Sequence, residues 1–216
     1  MLRTRIGTPA LGAACLLGLL LPPIARANIN LEWRTQTQTV NIGDPLGVGL
    51  YAVSDNGLNQ GFSSVQLIME WDPAYLLLTG NDNTGAVDLL GSSFIPGDSF
   101  GINEANPPAD GDGMWIGMVM FGQERQATPA GALLTTITFD ALAQTGPSGT
   151  WLTMLADSST HPHPPHPTGF TKLLNLQSEN VLGTLGGSAT VIVTPEPGTA
   201  GALLLLGALT LGKRRH

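Results

Sequence analysis

Between residues 28 and 194 the apolar positions recur every second residue, not every third or fourth. The clearest run is 63–71, where Val65, Leu67, Met69 and Trp71 fall on one side and Ser64, Gln66 and Glu70 on the other. Only Ile68 breaks the alternation. Successive side chains of a strand point to opposite faces, so this pattern predicts a strand with one face on a core. Residues 46–53 repeat it with Leu46, Val48, Leu50 and Ala52, and residues 133–141 with Leu133, Ile137, Phe139 and Ala141. Residues 31–40 carry threonine at every second place (Thr35, Thr37, Thr39) and read as one strand. Residues 114–121 are apolar on both faces, as in a central strand covered on both sides. Shorter strands are expected near Phe94 and Phe100, at 151–155 and at 189–193, and 75–78 reads as a short apolar segment, one turn of helix and then strand.

Turn residues separate these runs. Gly43-Asp44-Pro45, Ser54-Asp55-Asn56-Gly57 and Asp72-Pro73 each close a segment, and 91–113 is rich in glycine and proline. No stretch between 28 and 194 shows a helical period with caps. Many short strands joined by turns predict an all-β fold, an antiparallel sandwich, and about 167 residues suffice for one domain with a proper core.

The two ends have a different pattern. Arg3 and Arg5 precede an apolar run at 11–21, followed by Ala25-Arg26-Ala27, the A-x-A form of a signal-peptide cleavage site. Residues 1–27 therefore read as a signal peptide cut after Ala27, which implies export by the Sec machinery. Cys15, the one cysteine, lies inside the apolar run and leaves with it. At the other end Pro195-Glu196-Pro197 precedes an apolar run at 199–211 and the basic cluster Lys213-Arg214-Arg215. Proline blocks a helix from crossing the triplet, so a fresh helix begins beyond Gly198 and its basic end stays cytoplasmic. This tail resembles the PEP-CTERM sorting signal of Gram-negative bacteria. The resemblance implies a short transmembrane helix, processing by a membrane-embedded exosortase, and delivery of residues 28–194 to the cell surface or extracellular matrix. As helix, 199–212 spans roughly 21 Å, shorter than the ~30 Å hydrocarbon core, so it makes a poor permanent anchor.

Charge narrows the ligand. Without the two ends the body keeps three Lys+Arg (Arg34, Arg125, Lys172) against 15 Asp+Glu, a net of −12. That field opposes nucleic acid and anionic lipid and suits calcium, cationic surfaces or neutral polymers. Asn81-Asp82-Asn83 and Asp110-Gly111-Asp112-Gly113 are oxygen-rich loops, making Asp82, Asp110 and Asp112 the candidate calcium ligands; no other cofactor is expected. His161, His163 and His166 in a proline-rich run are candidate zinc or copper ligands. Trp33 and Trp151 are the candidate glycan-stacking aromatics, whereas Trp71 follows the core alternation of its strand. Catalysis finds little support. Gly61-Phe62-Ser63-Ser64-Val65 lacks the closing glycine of a nucleophile elbow, no H-E-x-x-H pair occurs, and Glu70 and Asp72 read as the cap of a turn.

The order of motifs in the body resembles the cohesin family. The carrying residues are Val40-Asn41-Ile42-Gly43-Asp44, Gly61-Phe62-Ser63, Trp71-Asp72-Pro73-Ala74-Tyr75-Leu76, and Gly131-Ala132-Leu133-Leu134-Thr135-Thr136-Ile137-Thr138-Phe139. The resemblance spans roughly 29–193 and implies a nine-stranded jelly roll with a binding role. Combined with the ends, it predicts a non-enzymatic adhesion or scaffold module that binds glycan or protein through one sandwich face. The alternatives are a purely structural matrix protein and a calcium-dependent cohesin–dockerin-type module.

Overall fold

The computed structural model describes residues 28–97, 102–157 and 169–196. The expected signal peptide at 1–27 with the predicted cleavage residues Ala25 and Ala27, the histidines His161, His163 and His166, Phe100, and the tail from Pro197 onward, with Lys213, Arg214 and Arg215, lie outside them. Among the described residues every regular element is a strand, and no helix is long and apolar enough to cross a membrane.

The strands are β1 (Ile29–Arg34), β2 (Thr37–Asn41), β3 (Pro45–Ser54), β4 (Gln60–Phe62), β5 (Ser64–Trp71), β6 (Leu76–Asp82) and β7 (Leu90–Phe94). They continue with β8 (Asp112–Met118), β9 (Arg125–Ala127), β10 (Ala132–Ala141), β11 (Thr150–Leu155), β12 (Lys172–Leu174), β13 (Leu182–Gly186) and β14 (Ser188–Thr194). One sheet has the order β13-β1-β3-β10-β6. The larger has the order β2-β14-β11-β5-β8-β7, with β12 also on β5, and β4 pairs separately with β9.

The inner faces of the two sheets close on one apolar core. Ile29, Leu31 and Trp33 of β1, Val48 and Leu50 of β3 and Ile137 and Phe139 of β10 meet Val65, Leu67, Met69 and Trp71 of β5 and Trp115 of β8. Trp71 reaches across the gap, its ring edge-on to Phe139 at 5.7 Å between centroids. The predicted faces of 46–53 and 63–71 are the ones the fold buries.

Three expectations change. Residues 31–40 are not one strand: the chain bends at Thr35-Gln36 and passes from one sheet to the other. The threonine alternation belongs to β2, and the core alternation Ile29, Leu31, Trp33 to β1. The sandwich is not purely antiparallel either, since β1 pairs β13 and β2 pairs β14 in parallel. In β10 a register shift between Leu133 and Thr135 turns Leu134, not Leu133, into the core.

Ile68 also has a reason for its place. Ile68 and Met114 lie on the outer face of the larger sheet, where they are buried with Ile102. Asn103 clamps that cover: its amide donates to the carbonyls of Ile95 (3.1 Å) and Met114 (2.7 Å), and its Oδ1 accepts from the Met114 amide at 2.8 Å. The middle of the outer face is thus roofed. Among the described residues two parts of this face stay open, one around Met118 and one on β2, β14 and β11.

Candidate functional site

The first open part is built where β8 runs out. The predicted strand 114–121 stops at Met118, because the Val119 amide turns to the Ser63 carbonyl (2.8 Å) and a tight turn follows, with the Gln123 amide on the Met120 carbonyl at 2.9 Å. Gly122, at φ +78°, supplies the left-handed position this turn needs. The turn lifts Phe121 off the sheet until its side chain is fully exposed, with Met118 and Met120 about half exposed beside it.

A second turn faces it. Residues 175–178 are held by Asn175, whose Oδ1 accepts from the amides of Gln177 (3.0 Å) and Glu179 (2.9 Å), and Ser178 sits at φ 60°. This turn exposes Leu176. The two turns are tied, for the Leu176 amide donates to Glu124 Oε1 at 3.2 Å, and Ser63 Oγ donates to the Asn175 carbonyl at 2.8 Å. Between them lies a groove of about 240 Å³ over Ser63 and Ser64, walled by Met118, Met120, Phe121 and Leu176. A second hollow of about 260 Å³ shares Ser64 and Met118 and continues to Ile116, Lys172 and Leu174. Leu90 of β7, paired with Met118, extends the apolar strip to the sheet's edge.

Polar groups frame the strip. Gln66 donates to the Phe170 carbonyl at 2.6 Å, and the Lys172 ammonium stands 5.7 Å from the Phe170 ring centroid. Arg125 pins the neighbouring loop through Asp88, bonding its carboxylate at 2.9 Å and its carbonyl at 2.8 Å. An apolar strip several side chains long, left open with a polar frame, is what a protein interface looks like before its partner arrives. The sequence held one signal for it: Met118, Met120 and Phe121 stand at the end of a run apolar on both faces.

The residues singled out from the sequence are scattered. Trp33 is fully buried, so it is not a stacking platform; its alternation with Ile29 and Leu31 carries it into the core. Trp151 is exposed on the outer face of β11, in the other sheet from Trp33. Asp82 ends β6 in the smaller sheet, where its carboxylate accepts from the Thr84 amide (2.8 Å), which holds its pKa below the ordinary carboxylate value. Asp112 is buried on β8 of the larger sheet, and Asp110 has one carboxylate oxygen sealed from water. No three acidic, histidine or cysteine side chains converge among the described residues. Asp82 ends β6 in the smaller sheet, whereas Asp110 precedes β8 and Asp112 begins it in the larger one, so the two oxygen-rich loops are separate places in the fold. Asn81 and Asn83 are engaged elsewhere, bonding Thr135 at 3.1 and 2.8 Å. Glu70 lies directly opposite Asp112 across β5 and β8, and burial raises its pKa. Asp72 accepts from the Ala74 amide at 3.0 Å and caps the turn after β5.

No protein-family model matches the chain, and no curated protein matches it. Solved structures do. The chain is similar to the seventh ScaB type I cohesin of Pseudobacteroides cellulosolvens, at 13% identity and a TM-score of 0.50, over 78% of this chain and 93% of that one. It is similar to the cohesin module of a Clostridium perfringens family 33 glycoside hydrolase, at 11% identity and a TM-score of 0.50, over 79% and 99% of the two chains. It is also similar to CaCohA2 of Clostridium acetobutylicum, solved in complex with CaDoc0917, at 12% identity and a TM-score of 0.50, over 77% and 99%. At this identity the shared property is the fold, a cohesin-like β-sandwich.

Proposed function

We propose that the chain is an exported, surface-sorted, non-enzymatic interaction module that docks a protein partner on the apolar rim formed by Met118, Met120, Phe121 and Leu176. The observation that carries this reading is the fully exposed Phe121, raised on a turn beside a groove lined by Met118, Met120 and Leu176. Aromatic side chains of this kind dominate the energetics of protein interfaces. That CaCohA2 is solved in complex with a second protein agrees with it.

The direction of the strands agrees as well. β5 and β14 both run antiparallel to β11, so they point the same way. The chain leaves β14 at Thr194, at the Trp71 end of β5, whereas Met118 pairs with Ser64 at the other end. A tail held in a membrane after Pro195-Glu196-Pro197 turns the rim outward. The tail and the signal peptide account for export through Sec, processing by an exosortase, and residence at the surface or in the surrounding polysaccharide, the second ligand class of this reading. A structural matrix protein without a specific ligand would have no use for such a rim.

The test is site-specific photocrosslinking from position 121 and, as a control, from Thr39 on the surface-displayed protein. The reading expects one protein adduct from position 121 only, and an affinity for that protein reduced about tenfold or more by Phe121→Ser. Equal crosslinking from both positions, or an unchanged affinity, overturns it. Mass spectrometry of the surface protein tests sorting: a mature chain still ending at His216 counts against processing.

A further inference from the structure

We propose that the second open part of the larger sheet, on β2, β14 and β11, is a stacking platform for a neutral polysaccharide, with Trp151 as its aromatic centre. Three of the four tryptophans are 0–2% exposed; Trp151 is 45% exposed and projects from the outer face, with Leu152 and Thr150 turned inward beside it. Its setting is the reason for the ligand class.

Trp151 stands opposite Thr190, which stands opposite Thr37, so indole and two hydroxyls form a row across three strands. At strand spacings of about 4.8 Å that row is ~10 Å wide. The next row, about 7 Å along the strands, holds Thr153 and Ser188, whose hydroxyls bond each other at 2.7 Å. Thr39 is exposed opposite the half-buried Ile192 on the other side. The three strands, TQTVN, TWLTML and SATVIVT, contain no charged residue, in a body with 15 acidic ones. β2 is the sheet's edge, so the platform is open where a long polymer would run off it.

Each ligand class meets this surface differently. An anion finds no opposite charge on the three strands, and the carboxylate beside them, Glu70 opposite Thr153, is half-buried and leaves a cation no exposed cluster among the described residues. A protein interface would want an apolar centre, and beyond Trp151 the face offers mainly hydroxyls. A neutral sugar chain lays the C–H face of a ring on the indole and exchanges hydroxyl hydrogen bonds with threonine and serine. Aromatic stacking of this kind tolerates sequence and register, which suits a repetitive polymer. The ligand's source rests on the reading of the chain as a surface module; the platform itself does not depend on the Phe121 rim.

The experiment is affinity electrophoresis of the full chain in mild detergent, in gels cast with hydroxyethylcellulose, xylan or dextran, and with alginate as the anionic control. The expected result is retardation in at least one neutral gel and none in alginate, lost in Trp151→Ala, largely kept in Trp151→Tyr and unchanged in Phe121→Ser. N-bromosuccinimide gives an independent readout, because Trp151 is the tryptophan it reaches first, and the retarding polymer should slow that oxidation several-fold. Absence of retardation in every neutral gel, equal retardation in alginate, or full retardation of Trp151→Ala overturns the platform. Loss in Phe121→Ser moves the sugar to the rim and also overturns it. Loss of protein crosslinking with retardation intact strikes the docking reading alone.

Discussion

A single strand position separates core from surface in this molecule, and β5 shows it best. Leu67 is fully buried between the sheets, while its neighbour Gln66 reaches out to the Phe170 carbonyl. Leu67→Ala removes buried area and leaves a cavity, and should cost about 2–5 kcal/mol. Gln66→Ala should change stability by about 0.5 kcal/mol. Equilibrium denaturation of both variants decides; a costly Gln66 with a cheap Leu67 would mean the register is reversed. Glu70 gives a second residue-scale prediction. Burial opposite Asp112 raises its folded pKa, so the native state holds the proton more tightly than the unfolded chain. Stability is then lost as pH rises from the ordinary value of 4.5 through the raised one. Glu70→Gln should stabilise at neutral pH, and the gain should vanish below pH 4.5; a gain independent of pH would refute the linkage. At this scale the sequence was readable wherever alternation held. The core places of Val65, Leu67, Met69 and Trp71 followed from it. Trp33 escapes this reading because the alternation Ile29, Leu31, Trp33 of β1 runs almost directly into the threonine alternation of β2.

At the scale of elements, strand identity was local and strand pairing was not. β3, β5, β10 and β11 were each visible as apolar periods, and the end of β8 at Met118 was not, because a change in hydrogen bonding, not in composition, ends it. The three-residue β4, β9 and β12 are too short to show a period, and β13, LGTLG, carries no alternation. The parallel edges β1–β13 and β2–β14 join segments about 150 residues apart, which no window of sequence contains. The roof over Ile68 and Met114 is likewise non-local, coming from Ile102 and Asn103. It yields a prediction. Asn103→Ala strips both the amide and the carbonyl of Met114 of a partner, and should cost about 1–3 kcal/mol. It should also open the roof, so limited proteolysis should cut near residue 103 sooner than in the parent. A variant as stable and as resistant as the parent would show that the roof is held by Ile102 alone.

For the whole molecule the question is which way it faces. The sandwich has a polarity fixed by its strands: the chain exits at Thr194, beside the Asn41–Asp44 turn, where the Ile42 amide bonds the Thr194 carbonyl at 2.9 Å. Phe121 stands at the other end of the larger sheet: Ala189 is level with Trp71 across β11, so Thr194 lies five residues beyond it, while Met118 is level with Ser64 seven residues the other way, a separation of roughly 40 Å along the strands. If the apolar run that begins at Thr199 is held in a membrane, the few residues after Thr194 keep the Asp44 end close to the lipid and the Phe121 end in solution. Residues 28–216 contain no cysteine, so in a chain cut after Ala27 a single introduced thiol reports its own exposure. Phe121→Cys and Asp44→Cys, each exposed on the folded module, are therefore compared on intact cells with a bulky membrane-impermeant maleimide. Position 121 should label several-fold faster while the tail is intact, and the two rates should converge once the tail is removed. Equal rates in the uncleaved protein would mean that the module does not stand on its Thr194 end, and the rim would lose its claim to face outward.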